Sequence, residues 1–241
     1  MKSDLEIRND SLAASRKGLV DQQRSKQLVL DQTKGQERAY QKLLSQQQNL
    51  QGELEKEIFD IETELNKKLG NKRLPSIKGL IAWPMDGVLT QGYGNTGFTK
   101  LGYTFHNGID VAGPAGTPIY AVADGVVEDT DMNQNASYGN WVTVRHTIQT
   151  KAGPHQLISL YAHMTSFRVR KGQALKAGDL IGFEGNTGNT TRLLYGPGRG
   201  YHIHFGLYDA DGYGVTTGAY TKTYGPYRIP YGATYNPLEY L

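Results

Sequence analysis

Two histidines separated by one residue are the part of this sequence best suited to chemistry. His202 and His204 lie in the run Tyr201-His-Ile-His-Phe-Gly-Leu207. Successive side chains of a strand point to opposite faces, so a strand here would turn both imidazoles to one face and the apolar residues to a core. Such a pair suits a metal site, a proton relay or both, although an ordinary half-exposed strand can also carry two histidines.

A second candidate pair is His106 and Asp110, in the run His106-Asn-Gly-Ile-Asp110. In a straight strand the two residues would lie roughly 13 Å apart, too far to share one metal ion. Asn107-Gly108 is a strong turn dipeptide, and a bend there would let both side chains reach a common ion. The alternative is a plain turn between a surface histidine and a capping aspartate.

The remaining histidines differ in their surroundings. His163 ends the run Leu157-Ile-Ser-Leu-Tyr-Ala-His163, in which alternate residues are apolar, as they are around His202 and His204. His146 ends another strand pattern, and we expect it to pack or hydrogen-bond near the surface. His155 follows Gly153-Pro154 in a hairpin loop, and we expect it to be inert.

The chain has no cysteine, which excludes disulfides, thiolate metal sites and a cysteine nucleophile. Any metal must therefore be held by histidine or carboxylate groups. Histidines with one aspartate can form a zinc site that leaves one coordination position for water, and zinc lowers the pKa of that water. Additional histidines nearby can move protons or stabilise an oxyanion.

Short strands between glycine turns are predicted from Trp83 onward, and regular helices are hard to place there. We therefore predict a mainly β domain with an antiparallel sheet over residues 83–241. The predicted strands are Val88-Gln91, Ile119-Val122, Gly125-Asp129, Trp141-His146, Gln156-Ala162, Asp179-Phe183 and His202-Tyr208.

The first 68 residues have a different composition, rich in Gln, Lys, Glu and Leu and without proline. Leucines and isoleucines recur at helical spacing along a narrow seam, which predicts an α-helical coiled-coil arm. Gly35 could bend it into a hairpin, or one long helix could dimerise. The arm holds no catalytic constellation, so we expect it to act in spacing, partner binding or covering of the other domain. Residues 69–82 are the predicted linker.

Charge and hydropathy exclude several classes of function. The net charge of +3 is too small to indicate nucleic-acid binding, and no apolar run approaches the roughly 20 residues that span a membrane. Met1-Lys-Ser-Asp is not a signal peptide. We therefore expect that the protein is cytoplasmic or that this sequence begins after a signal or anchor that has been removed.

Several motifs, in this order, make residues 80–241 resemble the M23 metallopeptidases, the lysostaphin-like or LytM-like zinc endopeptidases of bacterial cell walls. Together they are very specific. They are His106-x-x-x-Asp110, Gly116-Thr-Pro-Ile-Tyr-Ala-Val-Ala-Asp-Gly-Val127, Tyr138-Gly-Asn-Trp-Val, Leu160-Tyr-Ala-His-Met164, Lys171-Gly-Gln-Ala-Leu-Lys-Ala-Gly-Asp-Leu-Ile-Gly182, His202-Ile-His-Phe205 and Tyr235-Asn-Pro-Leu-Glu-Tyr240.

The resemblance implies an antiparallel sheet with a groove, and roles for five residues. His106, Asp110 and His204 would bind Zn²⁺, and His163 and His202 would be catalytic. The substrate would be a peptide bond in peptidoglycan stem cross-links or bridges, which implies a location in the cell envelope or outside the cell. The alternative is a non-enzymatic envelope partner or amidase activator that uses the coiled coil and a β domain that docks to the cell wall. Residues 1–68 would then bind an envelope protein or a second copy of the chain.

Two segments depart from the family pattern. Residues 192–201 form an insertion before His202, and residues 147–156 are longer than usual. We expect both at the walls of the groove, so the specificity of relatives cannot be transferred. The tyrosine-rich segment 208–235 could contact sugar or peptide, or it could simply pack.

Overall fold

A computed structural model describes residues 4–70, 73–98, 100–101, 103–134, 137–151, 153–216 and 228–241. One helix, α1, spans Asp4–Leu69, and Gly35 lies inside it instead of bending a hairpin. The chain divides into two compact units, residues 1–47 and 48–241. The predicted boundaries at residues 68 and 82, and the pairing of the arm as a coiled coil, stay predictions.

The composition of α1 explains its length and its end. No proline interrupts residues 1–70, and Lys67 and Lys68 lie in the last turn, where cations favour the helix dipole. Gly70 then adopts a left-handed φ of 46°, which ends the helix at little steric cost. No helix among the described residues is both long and apolar enough to cross a bilayer.

In the described part of the second unit, the strands form three antiparallel sheets. The strands are β1 (Val88–Gln91), β2 (Gly108–Ala112), β3 (Pro118–Tyr120), β4 (Gly125–Asp131), β5 (Trp141–Thr150), β6 (Gly153–Ala162), β7 (Ser166–Phe167), β8 (Ala174–Leu175), β9 (Leu180–Phe183), β10 (Ile203–Asp209), β11 (Gly214–Val215), β12 (Pro230–Tyr231) and β13 (Thr234–Tyr235). A short helix, α2, spans Arg192–Tyr195, and a 3-10 helix spans Pro237–Glu239.

The largest sheet has eight strands in the order β1-β2-β10-β6-β5-β4-β8, with β13 also paired to β10. The smaller sheets are β3-β9-β7 and β11-β12. The prediction of a mainly antiparallel β domain preceded by a helical segment is therefore confirmed.

The central strand β10 separates two apolar clusters. Ile203, Phe205 and Leu207 are fully buried in the larger cluster, as the alternation predicts. Tyr208 lies in the smaller cluster on the other face, together with Ile58 of α1. The face that carries His204 is therefore also packed, because α1 covers part of it.

Two local predictions differ from the structure. Residues 108–112, which the predicted strands did not include, form strand β2, which pairs with both β1 and β10. His202 lies just outside β10 and forms an isolated bridge with Gly185. The two histidines are therefore held by different backbone partners.

His146 hydrogen-bonds as predicted, but it is fully buried instead of lying near the surface. Its Nδ1–H donates to Asp124 O at 2.9 Å, which leaves Nε2 to accept from Ser159 Oγ at 2.8 Å. Burial lowers the pKa of His146 below its ordinary value of 6.5. Protonation would therefore introduce a buried charge and remove the acceptor for Ser159.

This lowered pKa predicts a stability that depends on pH. The unfolded chain takes up the His146 proton first, so the free energy of unfolding should be highest above pH 6.5 and fall as the pH drops toward the folded pKa. Urea unfolding of the metal-free protein across this range should show a shallower pH dependence in His146→Gln than in the wild type. Identical pH dependences would contradict the prediction.

Candidate metal centre

Two adjacent strands and one bend bring three potential metal ligands together. The register of β10 on β2 places His204 opposite Asp110. A bend at Asn107 brings His106 Nε2 to 3.0 Å from Asp110 Oδ1. His204 Nδ1 lies 2.9 Å from His106 Nε2 and 3.2 Å from Asp110 Oδ1. Residues that are distant in sequence therefore present three donor atoms to one point.

Backbone contacts orient His106. Its Nδ1–H donates to Gly92 O at 2.8 Å, so the neutral ring has its lone pair on Nε2, the atom that faces Asp110 and His204. The main chain of His106 forms a pair of hydrogen bonds with Gly94, at 2.8 and 2.9 Å. The ring of Tyr103 stacks on the imidazole with centroids 5.9 Å apart.

Burial sets the protonation of these groups. Desolvation lowers the pKa of His204 to about 4, so the ring is neutral at neutral pH. Desolvation alone would raise the pKa of Asp110, but the imidazoles of His202 and His106 and the bonds from His106 and His204 hold it well below its usual range. A neutral imidazole beside a carboxylate is the form that binds a cation.

The donor set fits zinc. His106, Asp110 and His204 are buried, and their donor atoms all lie within 4.8 Å of one another. Tetrahedral ligands at about 2.0 Å from zinc lie about 3.3 Å apart, close to the separations of the three donors. Two imidazoles and one carboxylate also match the donor types of three-ligand zinc sites.

Two further histidines border this group. His163 Nδ1–H donates to Thr187 O and His202 Nδ1–H donates to Gly200 O, each at 2.8 Å. In the neutral rings Nε2 is therefore the basic atom. The two ring centroids are 4.7 Å apart, and His202 Nε2 lies 3.6 Å from Asp110 Oδ2. Burial lowers the pKa of His163 well below its ordinary value.

His163 is held by contacts that its strand pattern does not indicate. It follows the end of β6 with a left-handed φ of 59°, an unfavourable conformation for a non-glycine residue. Its N–H donates to Tyr138 O, and Asn140 Nδ2 donates to Met164 O at 3.0 Å. Thr187 Oγ1 accepts from Asn140 N at 2.9 Å, which links the two segments around His163.

Sequence reasoning missed Asn140 and Thr187, as well as Gly92 and Gly200, as supports of this site. Asn140 lies in the run Tyr138-Gly-Asn-Trp-Val, which carried part of the family resemblance and was the available signal, whereas Thr187 lies outside the motifs that carried it. The two glycines act through their carbonyl oxygens, and no residue type identifies such a role.

A cavity of about 1180 Å³ opens over the five residues. Its walls include the aromatic side chains of Phe59, Phe98, Tyr103, Phe105, Tyr138 and Tyr201, and its helical wall includes Asn49, Lys56 and Glu62. This volume is slightly larger than the roughly 300–1,000 Å³ that is usual for small-molecule pockets.

The other sequence features lie at different places. His155 is not inert in its contacts, because its Nε2 lies 2.8 Å from Asp209 Oδ2, which also accepts from Tyr235 Oη. In the insertion, α2 precedes a turn whose Pro197 and Arg199 carbonyls accept from Asn186 Nδ2. Residues 217–227 of the tyrosine-rich segment lie outside the described residues.

Residues 104–216, which hold all five site residues, match the family described as Peptidase family M23. This segment belongs to peptidase family M23. Zinc is the metal of the family, and the His-Asp-His group of the M23 domain suits it.

Three curated relatives each match less than half of this chain. The chain is 37% identical over 103 residues to the DD-carboxypeptidase/endopeptidase Mpg of Neisseria meningitidis, which covers 43% of this chain and 20% of that protein. It is 38% identical over 103 residues to the peptidoglycan DD-endopeptidase ShyA of Vibrio cholerae, which covers 42% of this chain and 20% of that protein. The chain thus spans about a fifth of these relatives' length.

The chain is also similar to an activator of murein hydrolases and to a peptidase domain of known structure. The murein hydrolase activator NlpD of Salmonella dublin is 34% identical over 114 residues, covering 47% of this chain and 26% of that protein. The solved catalytic domain of lysostaphin from Staphylococcus simulans is 26% identical, with a TM-score of 0.40, and covers 51% of this chain and 80% of that domain.

Proposed function

We propose that this protein is a zinc-dependent endopeptidase that hydrolyses peptide bonds in the cross-links or bridges of bacterial peptidoglycan. The observation that supports this most is a complete set of three convergent donor atoms beside two histidines with basic Nε2 atoms. The endopeptidase names of relatives at 37 and 38% identity agree with it. Peptidoglycan lies outside the cytoplasmic membrane, so the protein would act in the envelope or outside the cell.

In this proposal His106 Nε2, Asp110 Oδ1 and His204 Nδ1 hold the metal. Zinc, when bound, supplies Lewis acidity toward the scissile carbonyl and toward water. The chain contributes a neutral imidazole at His204, since burial keeps that ring unprotonated, and a carboxylate at Asp110 that stays ionised.

His163 and His202 would transfer protons and stabilise the negative charge that develops during hydrolysis. A neutral Nε2 can accept a proton from the attacking water, and the resulting imidazolium can donate it to the departing amine nitrogen. The second ring can hydrogen-bond the carbonyl oxygen as it gains negative charge. The carbon–nitrogen bond breaks, and the products are a carboxylate and a new amino terminus. Both rings are held through Nδ1, so both can take either role.

Digestion of purified peptidoglycan tests this function. The zinc-loaded chain should release muropeptides with new amino termini, detected by mass spectrometry, and the masses should identify the bond. A chelator should stop the release, and added zinc should restore it. His163→Ala should lower the rate about 10²- to 10⁴-fold, as expected for loss of general acid–base catalysis.

Peptidoglycans with several cross-link chemistries should be used. The insertion at residues 192–201 is a departure from the family pattern, so the specificity of relatives does not predict which bond this protein cleaves. If the zinc-loaded chain releases no new amino termini from any of them, the endopeptidase proposal is wrong. Stimulation of a separate amidase under the same conditions would then indicate the activator function that NlpD carries in its name.

A further inference from the structure

A buried carboxylate on α1 lies beside the metal centre. Glu62 is only 3% exposed, although glutamate is rarely buried without partners. It shares one helix face with Ile58 and Leu69, which are also buried. A glutamate on the apolar seam of an amphipathic helix costs folding free energy unless hydrogen bonds compensate it, so its position requires an explanation.

Glu62 contacts the turn between two metal-ligand candidates. Asn107 Nδ2 lies 2.9 Å from Glu62 Oε1 and 3.0 Å from Oε2. Asn107 directly follows His106 and forms the bend that brings His106 to Asp110. A partner that holds the Asn107 side chain therefore restricts the backbone from which the His106 imidazole projects.

The same contacts extend to His204. Asn107 Nδ2 lies 2.7 Å from Tyr138 Oη, and the Tyr138 ring lies against the His204 imidazole with centroids 5.4 Å apart. Tyr138 Oη is also 3.3 Å from Oη of Tyr208, which lies in β10. Glu62 is thus connected to one ligand candidate through the backbone of Asn107 and to another through a packed ring.

We propose that Glu62 is a positioning residue of the metal centre, which holds the Asn107 turn so that His106 and His204 converge. The inference rests on the metal site of the proposed function and adds a residue that lies outside the matched segment 104–216. Groups that orient metal ligands usually change metal affinity about 10- to 100-fold when they are removed. The last turns of α1 would then be part of the catalytic unit.

The test compares four variants of the full chain. Glu62→Ala should raise the zinc dissociation constant about 10- to 100-fold, measured by competition with a chelator of known affinity. Glu62→Gln keeps one acceptor oxygen, so its constant should be intermediate. Glu64→Ala, two residues away and exposed, should bind zinc like the wild type.

Ile58→Ala controls for a purely structural effect. Ile58 is 3% exposed on the same helix face, and it belongs to the apolar cluster around Tyr138. Its replacement should lower the midpoint of urea unfolding without changing the zinc dissociation constant. Glu62→Ala should instead raise the zinc dissociation constant by more than its loss of unfolding free energy accounts for.

A second measurement uses the metal-free protein. Amide hydrogen exchange over residues 104–110 should accelerate in Glu62→Ala and not in Glu64→Ala, because the Asn107 turn would open more often. Neither measurement requires hydrolysis, so the role of Glu62 can be tested even if the protein does not hydrolyse peptidoglycan. Unchanged zinc affinity and unchanged exchange in Glu62→Ala would overturn the inference. Faster peptidoglycan hydrolysis with unchanged zinc affinity would also overturn it, because the helix would then restrict the cavity.

Discussion

Replacing His204 with alanine is expected to remove both zinc binding and hydrolysis. Apparent zinc-binding free energies in four-ligand sites are about 10–16 kcal/mol, so one ligand contributes about 3 kcal/mol, or more than about 100-fold in affinity. His204 Nδ1 is one of the three convergent donors, 2.9 Å from His106 Nε2. Zinc content after dialysis and muropeptide release measure the two losses.

His202→Ala is the matched variant, two residues away. It should lower the rate of hydrolysis about 10²- to 10⁴-fold through loss of a proton-transfer group, while zinc affinity stays at the wild-type value. His202 Nε2 is 3.6 Å from Asp110 Oδ2, so the ring borders the donors without joining the group of three. If His204→Ala retained zinc, or if His202→Ala lost it, the roles proposed for the two residues would be wrong.

Replacing Gly108 with alanine is expected to damage the same site through packing. An added Cβ would lie 2.5 Å from Phe205 O and 2.7 Å from both Cε1 and Nε2 of His204. The pairing of β2 with β10 must shift or the His204 ring must turn, because both contacts are shorter than real Cβ atoms tolerate. Overpacking of this kind usually costs about 1–3 kcal/mol of unfolding free energy.

The zinc affinity of Gly108→Ala should fall together with its stability, which urea unfolding and chelator competition measure. Gly206→Ala provides the control, because Gly206 lies directly opposite Gly108 in the strand register. A Cβ there would meet Leu160 and Tyr208 at 3.4 Å, an ordinary contact. Wild-type zinc affinity in Gly108→Ala would show that the ring of His204 has more room than the structure gives it.

Local patterns in the sequence were enough to predict two of the elements around the site, strand β10 and the bend at Asn107, but not strand β2. The alternation in Ile203, Phe205 and Leu207 predicted a strand with one apolar face, since side-chain direction in a strand depends only on parity. The turn dipeptide at Asn107 and Gly108 predicted the bend before Asp110, because asparagine and glycine both favour turn conformations. Such features depend on a few neighbouring residues, so they can be read without knowledge of the fold.

The supports of the site could not be predicted in this way. The basic atom of each histidine depends on which backbone carbonyl its Nδ1–H meets, and these belong to Gly92, Thr187 and Gly200. Each contact depends on the path of a loop, and a carbonyl oxygen carries no trace of residue type. The role of Glu62 could not be predicted either, because helical periodicity shows which residues share a face of α1 but not which surface that face contacts.

The sequence by itself determined which residues are available for metal binding and proton transfer, and the motif order that identifies the family of residues 104–216. The tertiary structure alone decided how they meet. His106 and His204 are 98 positions apart in the chain, yet their nitrogens lie 2.9 Å from each other. That distance depends on the register of β2 against β10, which follows from matching the buried faces of the two strands and which the residues of either strand alone do not specify.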